Sequence, residues 1–172
     1  VALEPTNSDA FNNLGSSLYA VGRHVDADIA FDTAIQLNSE NFTARLNRAH
    51  GRADDQVKVD EINNILDKYK NKIQERVVIS SLHNSAFAYL RLGQLKEGWE
   101  RLEFGLSPLI DNTKGRRPQR TFTRPRWNGQ PLNGRRLLVW REQGLGDEVM
   151  FGSVLPELKN SGGRIVLECE PR

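Results

Sequence analysis

The residues best suited to chemistry lie in the stretch EQGLGD, from Glu142 to Asp147. Gly144 and Gly146 flank Leu145, and glycines at this spacing let backbone N–H groups approach an anion closely. A helix that begins directly after them adds a partial positive charge. Gly144, Leu145 and Gly146 are therefore candidate phosphate- or sugar-binding residues.

Asp147 follows the second glycine at once, and two roles are open to it. At the start of a helix, an aspartate commonly caps free backbone N–H groups. In a cleft, the same carboxylate could act as a general base that takes a proton from a sugar hydroxyl. We expect the capping role in this chain and keep the catalytic role for a longer protein that contains it.

A dinucleotide-binding GxGxxG motif is a competing interpretation of the same loop. Its third glycine position is occupied by Val149, although Glu168 or Glu170 stands where a ribose-binding acid would lie. A lone GxG is a weak signal, so we expect no bound cofactor. The single cysteine, Cys169, cannot form an internal disulfide or a cysteine-cluster metal site, and we expect no metal.

The elements around this loop predict a strand, a helix and a second strand. RLLVW, from Arg136, has the content of a short buried strand, and the turn-forming WNGQPLNG precedes it. A helix is expected from Asp147 to the pair Gly162–Gly163, with Pro156 as a possible kink. RIVLEC supplies the second strand. This order predicts a right-handed βαβ unit with parallel strands.

A repeat fills the first 106 residues. Residues 10–38 align with residues 81–106 at a constant offset of 71. Between them, ARLNRAH places Asn47 and Ala49 34 residues after Asn13 and Gly15. The aligned pairs are Asn13/Asn84, Gly15/Ala86, Leu18/Tyr89, Gly22/Gly93, Ala27/Gly98, Phe31/Leu102 and Ala34/Gly105. Each copy predicts two helices, which need stacked neighbours to bury their apolar faces.

Residue size explains most of the aligned positions. Gly15, Ala49 and Ala86 are small residues where two helices would cross closely, and Gly22 and Gly93 lie where the first helix must end. Large residues would form the buried stripe of the first helices: Leu14, Leu18, Phe87 and Leu90.

The middle copy departs from this pattern. Gln56 stands where the turn glycine belongs, and the copy carries about three extra residues. Its second helix is still recognisable from apolar residues on one face: Ile62, Ile65, Leu66, Tyr69 and Ile73.

The pattern of small and large residues with a period of 34 resembles the tetratricopeptide repeat (TPR), in three copies within residues 1–106. The resemblance implies a curved stack of helical hairpins, a superhelix whose inner face binds a peptide or partner protein, or a second copy. A simple spacer is the alternative. The candidate peptide-binding residues, expected to be exposed on the inner face of the first helices, are Asn12, Asn13, Ser16, Asn47, Arg48, His50, Asn84 and Tyr89. The recurring asparagines suit the backbone of an extended peptide, or hydrogen bonds within the array.

A basic connector, residues 107–134, follows the repeats. From Asp111 to Arg141 the chain carries nine Lys and Arg but one acid, while the remainder carries fifteen basic and twenty-one acidic residues. Positive charge alone attracts nucleic acid, but no nucleic-acid-binding motif supports that partner, and we expect none. The arginines could also hold an anionic substrate. We favour a third interpretation, in which they pair with acids on the repeats.

A second resemblance covers residues from about Leu95 to Arg172. GQLKEGWERLEFGL, the turn WNGQPLNG and the string EQGLGD resemble bacterial TPR proteins with a glycosyltransferase-like module, similar to the heptosyltransferase family with its GT-B fold. The resemblance implies that residues 135–172 begin a Rossmann-like lobe and that Asp147 is the catalytic base. It also implies a nucleotide-sugar donor, bound mainly by a second lobe that these residues do not include.

We therefore expect a mainly α protein with a partial α/β segment, whose first function is protein–protein interaction or assembly. The chain itself is expected to be inactive, and sugar transfer by a longer parent protein is the alternative. Its apolar runs are too short to span a bilayer, no signal-peptide pattern is visible, and 38% of residues are hydrophobic. These features indicate a cytoplasmic protein without a membrane span.

Overall fold

The structure is a computed structural model and describes residues 6–110, 120–141 and 144–169, without the side chains of Leu145 and Asp147. The chain forms two compact units, Val1–Ile110 and Asp111–Arg172. The first is helical, and the second contains a two-stranded parallel sheet. The predicted combination of a mainly α fold with a small parallel α/β segment is confirmed.

Within residues 6–110 the first unit contains six α-helices: α1 Ser8–Ala20, α2 His24–Leu37, α3 Phe42–His50, α4 Asp55–Tyr69, α5 Glu75–Arg91 and α6 Leu95–Leu102. Short 3₁₀ turns follow α4 at Lys70–Lys72 and α6 at Glu103–Leu106. Polar side chains start three of the helices, because Asn7, Asn41 and Asp54 accept hydrogen bonds from backbone N–H groups of the first turn.

The turns after α1 and α5 are the same structure, 71 residues apart. Gly22 has φ of 80° and Gly93 has φ of 75°, both in the left-handed region. Arg23 N donates to Leu18 O at 2.9 Å, and Gln94 N donates to Tyr89 O at 3.0 Å. These bonds satisfy the last carbonyls of each helix, as in a Schellman motif. The predicted turn glycines are therefore confirmed.

Small residues set how closely the helices approach. Gly15 is buried against Phe31, and a Cβ at Gly15 would lie 2.6 Å from Phe31 Cε1. In the last pair the glycine is on the second helix, where a Cβ at Gly98 would lie 2.6 Å from Leu90 Cδ2. Each helix packs on the next along the chain, and α3 also contacts α1 and α5.

The middle pair has a shorter first helix than its neighbours. α3 ends at His50, and the turn runs from Gly51 to Asp54, so Gln56 lies in the first turn of α4 rather than in the connection. The predicted apolar face of α4 is confirmed in one core cluster with Phe42 and Leu46. That cluster contains Ile62 and Leu66 as buried residues and Ile65 and Tyr69 as partly buried ones. Ile73 is buried in the same cluster, but it follows the 3₁₀ turn beyond the end of α4, so its assignment to that helix is wrong.

One predicted core residue is exposed. Leu14, Leu18 and Leu90 are half-buried, but Phe87 is 54% exposed, so its assignment to the buried stripe is wrong. The repeat alignment explains the difference, because Phe87 corresponds to Ser16, which also lies on the exposed side of its helix.

The second unit contains β1 Arg136–Val139, α7 Leu145–Gly152, α8 Leu155–Leu158, a 3₁₀ turn Lys159–Ser161 and β2 Arg164–Leu167. The strands pair in parallel, with Arg136 opposite Arg164 and Val139 opposite Leu167. Both predicted strands and their parallel order are confirmed. The predicted burial of the first strand is wrong, because Leu138 is 43% exposed.

The single helix expected between the strands is divided into two. Helix α7 ends at Gly152, and Ser153 and Val154 form a turn before α8. Pro156 lies in the first turn of α8, where its missing N–H costs nothing, whereas a continuous helix would lose a hydrogen bond there. The break therefore precedes the proline.

No helix in the described part of the chain is long and apolar enough to cross a membrane.

The Gly15–Phe31 contact yields a stability prediction. Alanine at position 15 gains about 1 kcal/mol of helix propensity but overpacks the contact with Phe31, which typically costs about 1–3 kcal/mol. We expect Gly15→Ala to lower the free energy of unfolding in urea by about 1 kcal/mol. In a Phe31→Leu background the same change should be neutral or stabilising.

Ser17→Ala, at an exposed position of the same helix, is the matched control and should change stability by less than about 0.5 kcal/mol. An equal effect of Gly15→Ala in both backgrounds would show that Phe31 does not limit how closely α1 and α2 approach each other.

Candidate binding groove

A groove of about 290 Å³ opens on the face formed by α1, α3 and α5. Its lining residues are Ser16, Tyr19, Phe31, Asn47, His50, Gly51, Lys58, Asn84, Ala88 and Arg91. We refer to these ten residues as the groove. Helix α3 contacts both α1 and α5, and each of these three helices contributes side chains to the groove.

Four of the eight predicted peptide-binding residues line the groove: Ser16, Asn47, His50 and Asn84. Asn47 Nδ2 lies 3.4 Å from Ser16 Oγ and donates to Asn12 Oδ1 at 2.9 Å. Asn84 is exposed. The helical spacing of the repeat therefore brings these polar groups from three helices onto one surface.

The other four predicted residues do not line the groove. Asn12 is 8% exposed and pairs with Asn47, so the expectation that it is exposed is wrong. Arg48 is half-buried and forms an ion pair with Asp32. Asn13 is exposed, but outside the groove. The alternative of hydrogen bonding within the array is thus realised at Asn12 and Asn47.

Tyr89 is the clearest correction, because it is 5% exposed and belongs to a buried polar network. Its hydroxyl accepts a hydrogen bond from Asn63 Nδ2 at 2.7 Å, and the Arg101 guanidinium lies 4.3 Å from the ring centroid. The repeat alignment pairs Tyr89 with Leu18, a position predicted to be buried. The alignment with Leu18 indicates a buried position for Tyr89, as observed, whereas its polar hydroxyl favours an exposed one.

Arg101 lies at the centre of this network and is only 7% exposed. It donates to Asn63 Oδ1 at 2.7 Å, to Ser85 Oγ at 2.8 Å and to Glu97 Oε1 at 2.7 Å. A buried guanidinium is tolerated only when its donors are satisfied. The network thereby fixes α4, α5 and α6 against one another.

Two cations on the groove wall share one carboxylate. Arg91 donates to Asp55 from Nε at 2.6 Å and from Nη2 at 2.7 Å, and Lys58 Nζ lies 3.2 Å from Asp55 Oδ1. The hydrogen bonds from Arg91 are the main cause that lowers the pKa of Asp55 to about 2. Asp55 is therefore ionised at neutral pH, and one negative charge faces two positive ones.

His50 contributes a neutral polar group. Its Nε2 lies 3.0 Å from Ser81 Oγ. Burial among the helices, followed by the nearby charges of Lys58 and Arg101, lowers its pKa to about 4. The imidazole is therefore uncharged at neutral pH and adds no positive charge to the groove.

Sequence reasoning missed several groove residues. Tyr19 lies three positions after Ser16, and Ala88 and Arg91 lie four and seven positions after Asn84, so extending the same helical stripe by one or two turns would have found them. Lys58 gave no such signal, because it lies on α4 and reaches this face through packing that spacing alone does not specify.

The glycine loop of the second unit is described in part. Gly144 and Gly146 are exposed, and a Cβ at Gly146 would meet no atom within 4 Å. Gly144 O accepts a hydrogen bond from Glu148 N at 3.2 Å, within the first turn of α7. Asp147 is the third residue of α7, but its side chain and that of Leu145 lie outside the described part. The proposed sugar-binding and catalytic roles therefore remain predictions.

Arg120 corrects the favoured interpretation of the basic connector at one position. Its guanidinium makes two hydrogen bonds of 2.7 Å to Glu168, directly after β2, and lies 5.5 Å from the Trp140 ring centroid. Its partner is thus an acid of the second unit rather than of the repeats. Lys114, Arg116 and Arg117 lie outside the described residues.

Comparison with known proteins gives one curated relative, Protein FlbA of Caulobacter vibrioides (strain ATCC 19089 / CIP 103742 / CB 15), which is 32% identical over 163 residues. The match covers 92% of this chain and 26% of FlbA, so the chain spans about a quarter of the length of that relative. No family model matches the chain. No solved structure matches it.

The network around Arg101 yields a second stability prediction. Lysine keeps the charge of arginine but cannot satisfy Asn63, Ser85 and Glu97 together, because it lacks the planar fork of donors. We expect Arg101→Lys to destabilise the protein by about 2 kcal/mol, since buried partners would be left unsatisfied. Thermal and urea unfolding would measure the loss.

Arg23→Lys is the matched control. Arg23 pairs with Asp26 on the surface, with side chains 63% and 45% exposed, and the change should cost less than about 0.5 kcal/mol. Equal costs for the two variants would mean that the network does not stabilise the helices.

Proposed function

We propose that residues 1–106 form a TPR-like interaction module that binds an extended segment of a partner protein in the groove. The observation that carries this proposal is the groove itself, lined by side chains from three successive first helices. Each helix presents polar groups at helical spacing toward the same surface, which suits a chain laid across all three.

The groove has the chemistry of a peptide site. Asn84 is exposed and Asn47 half-buried, and an amide side chain can both donate to and accept from a peptide backbone. Tyr19 is 41% exposed and offers an apolar wall. Its ring atom Cε2 would lie 3.3 Å from a Cβ at Gly51. Polar groups with one aromatic anchor favour a bound peptide over a solvated spacer surface.

A peptide-display experiment tests this proposal. The purified 172-residue chain would be used to select binders from a random 12-residue phage-displayed library, and affinities of the selected peptides would be measured by fluorescence anisotropy. We expect Asn84→Ala and Tyr19→Ala each to weaken binding by about tenfold, as for central contacts worth more than about 1 kcal/mol.

Asn13→Ala is the matched control, because Asn13 aligns with Asn84 in the repeat and is exposed outside the groove. It should bind the selected peptides as the wild type does. A selection that yields no specific binder, or binders that are insensitive to both groove variants, would leave the array as a spacer or a self-association surface. Sedimentation would decide between those two.

We also propose, as a second function, that the second unit begins the acceptor lobe of a glycosyltransferase-like domain in a longer protein. The parallel pair β1–β2 with helices between its strands favours this reading. The EQGLGD loop follows the carboxyl end of β1, where open α/β sheets bind ligands. In that protein Gly144, Leu145 and Gly146 would face the sugar or its phosphate, and Asp147 would be the general base.

The test uses the natural gene product that contains these residues. Transfer and hydrolysis would be assayed with a panel of nucleotide sugars for the wild type, Asp147→Asn and the neighbouring control Glu148→Gln. Loss of a general base should lower kcat by about 10²–10⁴-fold in Asp147→Asn and leave Glu148→Gln nearly unchanged. Equal turnover by wild type and Asp147→Asn would remove Asp147 from the base role.

A further inference from the structure

The groove has an uneven charge. Lys58 and Arg91 are cations on its wall, His50 is neutral, and none of the ten groove residues is an acid. The compensating carboxylate, Asp55, lies beside the groove and pairs with both cations. One positive charge is therefore left over at this surface.

The two cations differ in how open they are to a partner. The side chain of Lys58 is 15% exposed and that of Asp55 is 18% exposed, whereas that of Arg91 is 58% exposed. The pair with Asp55 engages Nε and Nη2 of Arg91 and leaves Nη1 outside it. Arg91 can thus meet an incoming carboxylate at Nη1 or exchange one carboxylate for another in the same geometry.

We propose that the groove binds an acidic peptide segment, whose Asp or Glu carboxylate pairs with Arg91 and Lys58, and that Asp55 is a built-in competitor for that carboxylate. This inference rests on the proposed peptide-binding function and specifies its partner. A neutral or basic segment would leave the excess positive charge unpaired or add to it.

Asp55 sets the affinity of such a segment. It is on the same chain as both cations, so it occupies them without the loss of translational freedom that a separate peptide must overcome. An incoming carboxylate must either displace Asp55 or bind within reach of its negative charge, and in both cases Asp55 opposes binding. Removal of its charge should strengthen binding of acidic peptides but leave neutral ones unaffected.

The experiment uses three labelled 12-residue peptides of Ser, Gly and Leu that differ at two central positions, which carry Glu, Gln or Lys. Their affinities for the 172-residue chain would be measured by fluorescence anisotropy at low and high salt. We expect the Glu peptide to bind about tenfold more tightly than the Gln peptide, the Lys peptide to bind most weakly, and the preference to shrink at high salt because ions screen these partly exposed charges.

The variants separate local recognition from general electrostatics. Asp55→Asn should tighten binding of the Glu peptide about three- to tenfold and leave the Gln peptide unchanged. Arg91→Gln and Lys58→Gln should each weaken the Glu peptide about tenfold. Lys96→Gln removes the same charge from α6, at a side chain that is 91% exposed, and should have no effect. Circular dichroism would confirm that each variant is folded, and Asp54 still caps α4 in Asp55→Asn.

The outcomes distinguish this inference from the function on which it rests. Equal binding of the Glu and Gln peptides, still weakened by Asn84→Ala and Tyr19→Ala, would overturn the acidic preference and leave the groove as a peptide site. An equal effect of Lys96→Gln and Arg91→Gln would overturn the local assignment. A Glu preference that Asp55→Asn does not change would overturn the competitor role of Asp55. Failure of the library selection described above is the outcome that counts against the groove itself.

Discussion

The close packing of helices in the first unit depends on two glycines, at each of which a side chain of the neighbouring helix fills the space that a Cβ of the glycine would occupy. Phe31 lies against the bare backbone of Gly15, and Leu90 lies against that of Gly98. Helix α3 in turn contacts both α1 and α5. The groove opens on α1, α3 and α5, and Phe31, which packs against Gly15, also lines it, so one side chain serves both the helix packing and the groove.

The sequence predicted what depends on local chemistry. The left-handed glycines Gly22 and Gly93 fixed two turns, and apolar spacing fixed α4 and both strands. Features that depend on the neighbours of a side chain were missed. Phe87 and Tyr89 are both aromatic and two residues apart on α5, yet one is 54% exposed and the other 5%. Arg101 can be buried because Asn63 on α4 and Ser85 on α5 accept hydrogen bonds from its guanidinium.

The second unit contrasts with the first in how much apolar surface it leaves uncovered. Leu138 and Val166 on the two strands are 43% and 41% exposed, and Val149 and Met150 on α7 are 72% and 57% exposed. Parallel strands are ordinarily covered on both faces. The exposed residues therefore favour the proposal that these strands belong to a larger sheet. The loop before α7 would then be one wall of a site that the rest of that sheet completes.

The polar groups in and around the groove are of two kinds, buried and exposed. Groups below the surface, such as Arg101 and Asn63, satisfy one another and are worth most to stability, since an orphaned partner there is costly. Groups at the surface are satisfied less completely: Arg91 keeps Nη1 outside its pair with Asp55, which is itself partly exposed. Solvent reaches the exposed Arg91 side chain and weakens its pair with Asp55 relative to a fully buried pair. Arg91 can therefore exchange one carboxylate for another more easily than a buried guanidinium such as that of Arg101, which makes an exposed cation beside a groove a better recognition element than a buried one.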